Sequence, residues 1–149
     1  MRKILILFFL TIIFPSNVFA NENNYFLMLK NKVVNVRYGP GFDYPIKYIY
    51  KKKYLPIKVI DKKENFRRII DLKNNSGWIH VSQLKRINSV IATKDKILFK
   101  KPTSFAKPIA LIKKGRLLIV QKCEKNWCEI KTNNFNGWIK TDDLWGLTN

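Results

Sequence analysis

The sequence of 149 residues has few of the residue types on which catalytic and metal sites depend. It contains one histidine, two cysteines and only 10 acidic residues. A closed zinc site normally takes four ligands, usually Cys and His, and a single histidine leaves no spare base for an acid–base relay. No Ser-His-Asp, Cys-His, paired-carboxylate or phosphate-loop arrangement is present. The sequence therefore argues against an enzyme and indicates neither a bound metal nor a cofactor.

Acidic residues are scarce, whereas basic residues number 29, which gives a formal net charge of +19. Lysine supplies 23 of them, and isoleucine (19) and asparagine (15) are also abundant. These three residues have A/T-rich codons, so a low-GC genome explains the excess without any basic function. A phosphate-binding surface would favour arginine, whose planar guanidinium forms two parallel hydrogen bonds. Attraction to an anionic wall polymer or membrane surface is the alternative, and nothing indicates a specific nucleic-acid site.

The N-terminus has the layout of a secretory signal peptide. Arg2 and Lys3 precede the apolar run Ile4–Phe14, and the small residue Ala20 follows a break at 15–17. The run covers 11 positions, which is short of the roughly 20 that a membrane-spanning helix needs. We therefore expect residues 1–20 to be removed, leaving a periplasmic or secreted chain of charge +17 without a transmembrane segment. A retained membrane anchor is the alternative.

The two cysteines lie in a segment whose pattern predicts a β-hairpin. Cys123 and Cys128 flank a polar tip, and alternating apolar residues lie on both sides of it. Opposed strand residues have Cα atoms roughly 4.5–5.5 Å apart, within disulfide range. Export would place the pair where disulfides persist. We predict a Cys123–Cys128 disulfide that contributes about 2 kcal/mol; two free thiols are the alternative.

The remainder of the chain repeats itself at a spacing near 60 residues, which indicates two copies of one small domain. We place the copies at 25–86 and 90–147, joined by the short link 87–89. The matching pairs are Gly77-Trp78-Ile79 with Gly137-Trp138-Ile139, Phe66 with Trp127, Ile69 with Ile130, Leu84 with Leu144, and Tyr44-Pro45-Ile46 with Lys107-Pro108-Ile109.

Each copy has the pattern of short β-strands separated by turn residues, and no stretch shows helical periodicity over three turns. Five short strands in about 60 residues predict a small, strongly bent antiparallel barrel. The alternating runs in the first copy are Lys32–Arg37, Leu55–Asp61, Phe66–Leu72 and Trp78–Val81.

These motifs resemble the bacterial SH3-like domains. The resemblance is carried by Asn35-Val36-Arg37-Tyr38-Gly39-Pro40-Gly41, Tyr44-Pro45-Ile46, Phe66-x-x-Ile69, and Gly77-Trp78-Ile79 followed by Leu84. It implies an all-β chain of two tandem SH3-like antiparallel barrels, and an exported, non-catalytic module. The second copy departs from the pattern, because 96–102 lacks the arginine and both glycines of the first copy's loop.

The candidate ligand-binding residues lie in the first copy, around its complete loop. Two glycines beside a proline predict a tight turn, in which Arg37 either satisfies turn carbonyls or faces a groove with neighbouring aromatic rings. Trp78 either closes one end of the barrel or forms an aromatic platform for a ligand. The candidates are Arg37, Tyr38, Phe42, Tyr44, Phe66 and Trp78.

The other polar residues have simpler interpretations. His80 aligns with Lys140, so we expect it to face water rather than to serve as a ligand or base. Lys51–Lys53 and Lys113-Lys114 are expected to be solvated turns, with attraction to anionic polymers as the alternative. Asp142-Asp143 is too small a group for a calcium site.

The resemblance implies a protein that recognises cell-wall or envelope peptide. An accessory module that docks onto another envelope protein is the second hypothesis. An electrostatic binder of nucleic acid or anionic glycan is the third, and only the net charge supports it.

Overall fold

The computed structural model describes residues 24–132 and 134–147, so the predicted signal peptide at 1–20 lies outside the described residues. The described part is all-β, as predicted, with two antiparallel sheets and one 3-10 helix, Val81–Gln83. Each sheet has seven short strands instead of the five expected. Across these residues the structure contains no helix with the length and apolar character needed to cross a membrane.

The first sheet is built from residues 25–86 in the strand order β3-β2-β6-β5-β4-β1-β7. The predicted runs correspond to four of its strands, whose ends differ by up to two residues. The strands are β1 (Tyr25–Leu29), β2 (Val34–Arg37), β3 (Ile46–Tyr50), β4 (Pro56–Lys63), β5 (Phe66–Ile70), β6 (Ser76–His80) and β7 (Leu84–Arg86).

The second sheet has the order β10-β9-β13-β12-β11-β8-β14, which is the first order with every strand advanced by seven. The identical order confirms two tandem copies of one fold. The strands are β8 (Ser89–Ala92), β9 (Lys96–Phe99), β10 (Pro108–Ile112), β11 (Leu117–Glu124), β12 (Trp127–Lys131), β13 (Asn136–Lys140) and β14 (Leu144–Trp145).

Backbone hydrogen bonds align the loops that follow β2 and β9. The amide of Tyr38 donates to the carbonyl of Pro45, and the amide of Lys100 donates to the carbonyl of Lys107. These bonds relate the two loops by 62 positions, so the predicted match of Pro45 with Pro108 was wrong by one residue. The error arose because Pro45 and Pro108 are 63 positions apart, one more than the offset that the backbone hydrogen bonds give.

Each barrel has its own core of residues that alternate along the strands. Ile79 and Ile139 are fully buried, as the alternation predicts, while Trp78 and Trp138 lie on the opposite face. The first core contains Leu29, Val34, Val36, Ile57, Val59, Ile69, Ile79 and Leu84. The second contains Val90, Ala92, Leu98, Ile112, Leu118, Cys128, Ile130 and Ile139.

The predicted disulfide is present between directly opposed positions of β11 and β12. Cys123 pairs with Cys128, and Glu124 pairs with Trp127 at the hairpin tip. Lys125 in the intervening turn has φ 53°. Because Cys128 belongs to the second core, the disulfide ties the exposed tip of the hairpin to the interior of the barrel.

The two barrels are in direct contact through the link between them. Ser89 is fully buried, and its hydroxyl donates to the carbonyl of Tyr54 over 2.6 Å. The indole Nε1 of Trp145 donates to the carbonyl of Pro56 over 3.3 Å. The Trp145 ring also meets the ring of Phe26 edge to face, with centroids 5.0 Å apart. A single interface therefore joins the first barrel to β8 and β14, which are neighbouring strands at one edge of the second sheet.

Candidate functional site

Arg37, at the end of β2, organises the loop that follows it. One terminal nitrogen of its guanidinium donates to the carbonyls of Phe42 (3.2 Å) and Tyr44 (2.7 Å). Gly39 allows the loop to close, because a Cβ at this position would come within 2.3 Å of the Tyr44 ring. The side chain of Arg37 therefore satisfies turn carbonyls, which is the architectural role considered from the sequence.

The loop places Phe42 over the site where the first copy was expected to have a groove. The centroid of the Phe42 ring lies 5.3 Å from that of Phe66 and 5.0 Å from that of His80. Phe66 is only 5% exposed, so it supports the Phe42 ring from below. His80 is half-buried beneath the same ring and lies 2.8 Å from the Ser82 hydroxyl through Nδ1. His80 is therefore packed against Phe42, whereas the sequence predicted that it would face water.

Three of the six candidate residues present their rings to solvent. Tyr38, Phe42 and Tyr44 are 62%, 66% and 43% exposed, and Ile46 beside them is 44% exposed. We call these four exposed apolar side chains, which come from the loop and the start of β3, the aromatic ledge. Trp78 lies directly opposite Arg37 on the neighbouring strand and is half-buried. Unlike the three exposed rings, it belongs to the surface of the sheet and not to the loop.

The second copy has an open cleft at the position that Phe42 covers in the first. The offset of 62 places Ser104 at the position of Phe42, and its short side chain leaves the space beside Trp127 free. The cleft has a volume of about 890 Å³. Its walls are the loop 102–105, the hairpin tip at 126–127 and the segment 140–142, with Leu144 and Leu147 also lining it.

The walls of the cleft combine aromatic rings with charges of both signs. Phe105 is completely exposed on one wall. Trp127 lies on the other, its ring supported edge to face by Phe99 at 5.6 Å. The Nζ of Lys140 lies 5.8 Å from the centroid of the Trp127 ring. Asp142 supplies a carboxylate on the same segment. The cleft can therefore hold an apolar group and contact a charged group at either side.

A buried lysine fixes the acidic wall of the cleft. Lys96 occupies the position of the core residue Val34, with 8% of its surface exposed. Its Nζ donates to the carbonyl of Asp142 and lies 3.2 Å from the Asp142 carboxylate. Burial raises the pKa of that carboxyl, but the hydrogen bond and charge of Lys96 outweigh this effect. The net result holds the pKa of Asp142 below its ordinary value, so the cleft keeps its negative charge.

Comparison with known families assigns the two barrels. The sequence matches the family model described as bacterial SH3 domain twice, over residues 30–85 and 93–146. The chain belongs to the bacterial SH3 domain family. One matched segment falls in each sheet and leaves out only its first strand, β1 or β8, apart from the last residue of β7. The second bacterial SH3 domain is therefore matched in spite of its altered loop.

Two solved structures of low sequence identity are similar to part of the chain. NlpC2 from Trichomonas vaginalis is 14% identical, with a TM-score of 0.37, and the match covers 81% of this chain and 47% of that chain. NlpC1 from the same organism is 13% identical, with a TM-score of 0.37, and the match covers 81% and 45%. The tandem bacterial SH3 domains thus span less than half of either structure. No curated protein matches the sequence.

Asp142 and Asp143 of the second bacterial SH3 domain each form an ion pair with a lysine. Asp142 contacts Lys96, and Asp143 lies 3.1 Å from the Nζ of Lys94. Within 24–132 and 134–147, no group of three or more His, Cys, Asp or Glu residues could hold a metal ion. Lys51–Lys53 are exposed, as expected for a solvated turn.

The cleft of the second bacterial SH3 domain was missed from the sequence. The loss of Arg37 and of both glycines suggested that this copy had lost its ligand site. The decisive signal is the exchange of Phe42 for Ser104, which becomes visible only when the loops are aligned at 62. With the alignment at 63, Phe42 corresponds to Phe105, and the exchange is hidden.

Proposed function

We propose that this chain is an exported, non-catalytic binding protein that recognises peptide of the cell envelope. The peptide binds in the cleft of the second bacterial SH3 domain, beside Trp127. The observation that carries the proposal is the open cleft itself, with two aromatic walls and a charge of each sign. The corresponding position in the first domain is covered by Phe42.

The chemistry of the cleft suits a short wall peptide. Its volume of about 890 Å³ falls within the range of roughly 300–1,000 Å³ found for small-molecule sites. Phe105 and Trp127 offer rings on which the backbone and small side chains of a peptide can pack. Lys140 can attract a free carboxylate of the peptide, and Asp142 can attract a free amino group. Wall peptides carry both kinds of group.

Two features support export. The pattern of Arg2, Lys3 and Ile4–Phe14 is that of a signal peptide. The Cys123–Cys128 disulfide is compatible with an oxidising compartment outside the cytoplasm. Mass spectrometry of the protein from its native cell should find a mature N-terminus near Asn21. An intact Met1 on cytosolic protein would contradict export.

Binding to purified, insoluble peptidoglycan tests the assignment of the cleft. Phe105→Ala and Trp127→Ala should each reduce the bound fraction, because they remove the two aromatic walls. Phe135→Ala is the matched control, since Phe135 is an exposed phenylalanine of the same domain outside the cleft. Binding should persist at high salt, as expected for apolar and short-range contacts. Equal binding by the three folded variants would refute the cleft as the peptide site.

The aromatic ledge favours a second candidate function, docking onto another protein of the envelope. Its four exposed apolar side chains resemble the composition of protein interfaces, which are enriched in aromatic residues. In that case the protein would not bind peptidoglycan, and Tyr38→Ser with Ile46→Ser would abolish a specific cross-link to a protein of the envelope. Persistence of the cross-link in that double variant would exclude the ledge.

A further inference from the structure

The outer face of the first sheet carries a row of opposed residues centred on Trp78. The register places Arg37 opposite Trp78 on one side and Arg68 opposite it on the other. Directly opposed residues project from the same face of a sheet. Arg68 is exposed and Trp78 is half-buried. Asp61, opposite Arg68 on β4, is the acidic residue of the row. The position of Trp78 on β6 is therefore flanked by an arginine on each neighbouring strand.

Two lysines extend this positive region. On the same face, Lys58 lies opposite Ile70, which in turn lies opposite Ser76. Lys47 borders the face from β3, and its Nζ donates to the carbonyl of Ser76 over 2.9 Å. We call the four basic residues around Trp78, together with the indole, the cationic face. The basic residues are Arg37, Lys47, Lys58 and Arg68.

The second domain has none of these four cations at the equivalent positions. Phe99 and Glu129 lie opposite Trp138, as Arg37 and Arg68 lie opposite Trp78. In addition, the Nζ of Lys122 lies 5.2 Å from the centroid of the Trp138 ring and 2.8 Å from a carboxylate oxygen of Glu124. Lys131 and Lys140 are further cations on this face. The residues that replace Arg37, Lys47, Lys58 and Arg68 are Phe99, Ile109, Ile119 and Glu129.

The ion pairs are also distributed unevenly between the two domains. Residues 24–86 include 15 lysines and arginines but only four acidic residues. Residues 87–147 include 12 basic and five acidic residues. All four ion pairs among the described residues nevertheless lie in the second domain. A compositional bias of the genome raises the lysine content of both domains alike, and each range contains 11 lysines. Such a bias does not explain two arginines at one tryptophan and none at the other.

We propose that the cationic face binds an anionic polymer of the cell envelope, one with phosphodiester groups along a polyol or sugar backbone. Arg68 and the lysines bind successive phosphates, since guanidinium groups form paired hydrogen bonds with phosphate oxygens. Arg37 has five N–H donors and uses one nitrogen for its loop. The Trp78 ring packs against the polymer backbone between the phosphates. That the polymer belongs to the cell envelope rests on the proposed export of the protein. The residues of the cationic face do not overlap those of the cleft.

The test uses a synthetic ten-unit polymer of glycerol phosphate as the probe. Its affinity is measured at about 20 mM and about 200 mM salt, because phosphate contacts weaken as salt rises. Lys58→Ile combined with Arg68→Glu introduces the residues of the second domain at both positions. This variant should bind about tenfold more weakly and show a shallower salt dependence. Its peptidoglycan-peptide binding at the cleft should stay unchanged, which separates this proposal from the previous one.

The matched control is Lys32→Ile combined with Lys52→Glu, which makes the same change in net charge at exposed positions outside the face. It should retain near wild-type affinity. In the reverse direction, Glu129→Arg should strengthen binding by the second domain, and melting temperatures confirm that each variant is folded. Equal weakening by the control, no binding at low salt, or tighter binding of a single-stranded DNA with ten phosphates would overturn the proposal.

Discussion

Ser104 occupies the position that Phe42 occupies in the first domain, and this exchange decides which of the two domains has an open cleft. The Phe42 ring lies 5.3 Å from Phe66, whereas Ser104 is too short to reach the corresponding Trp127. The two barrels share a strand order, yet one side chain in one loop changes the surface each offers to a ligand.

Ser104→Phe should close the cleft of the second domain without unfolding it. The new ring can lie over Trp127 as Phe42 lies over Phe66, so peptide binding should fall while the melting temperature stays level or rises. Binding to soluble wall peptide by calorimetry, together with thermal unfolding, measures both. Ser104→Thr is the control, because it adds little volume. Undiminished binding by a folded Ser104→Phe protein would exclude the space beside Trp127 as the peptide site.

Arg37→Ala should destabilise the first domain. The substitution removes two exposed hydrogen bonds, to the carbonyls of Phe42 and Tyr44, and water can replace the donor, so the loss should be about 0.5–1.5 kcal/mol. Urea unfolding followed by fluorescence measures the loss. Arg37→Lys should recover part of it, because an ammonium group can reach one carbonyl. Wild-type stability of Arg37→Ala would show that the loop does not depend on these hydrogen bonds.

The Lys96–Asp142 pair should make stability depend on pH in the acidic range. Lys96 keeps the folded-state pKa of Asp142 below its unfolded value of about 3.9. The carboxylate therefore contributes stability that is complete above the unfolded pKa and is lost as pH falls through the folded pKa. The difference in unfolding free energy between wild type and Asp142→Asn should be constant near neutrality and shrink below about pH 4. A pH-independent difference would contradict this linkage.

Replacing the buried lysine tests the same pair from its other side. Lys96→Met removes a charge from a core position that holds Val34 in the first domain. The Asp142 side chain is 64% exposed, so water solvates its carboxylate when Lys96 is removed and no buried charge is left unpaired. The melting temperature should therefore stay level or rise. Since Asp142 then loses its partner, the acid dependence seen in the wild type should also diminish. A strong loss of stability would show that the pair is a net stabilising contact.

The disulfide should stabilise the second domain modestly. Cys123→Ser combined with Cys128→Ala removes the link and keeps an apolar residue in the core. The short loop predicts a loss of about 2 kcal/mol, measured by chemical unfolding. Thiol titration of unfolded, unreduced wild-type protein should find no reactive thiol. Two thiols in exported protein would contradict the pairing.

Trp145→Ala should loosen the contact between the domains. It removes the edge-to-face contact with Phe26 and the hydrogen bond to Pro56. Burying a tryptophan contributes about 3–5 kcal/mol in a core, and the partly buried Trp145 should contribute less. We expect calorimetric unfolding to change from one transition to two. A single, unshifted transition would show that the domains are coupled by other contacts.

The sequence was informative where a residue pattern determines the backbone directly. Alternation around Trp78 and Trp138 predicted which residues enter the two cores, and the polar tip between Cys123 and Cys128 predicted the hairpin and its disulfide. These features depend on local spacing, which a single sequence displays fully.

Features that depend on side chains meeting across the barrel were not predicted. Nothing in the loop sequence indicates that Phe42 folds back over Phe66, or that the first-copy groove is covered as a result. Likewise, Lys96 lies in an alternating strand at a position that the pattern assigns to an apolar residue. Its burial is possible because the carbonyl and carboxylate of Asp142, 46 positions later, come within reach of its Nζ.

The buried hydroxyl of Ser89 means that no free linker separates the two domains. If both proposed sites bind the same envelope strand, a ligand held by one domain keeps the other site close to that strand, at a high effective concentration and without the entropy loss of a flexible tether. Two weak sites joined in this way can retain a protein on a large, repetitive surface for far longer than either site alone. Their benefit depends on both sites reaching the same strand, so a mutation that loosens Ser89 would shorten residence on the envelope while leaving each separate affinity intact.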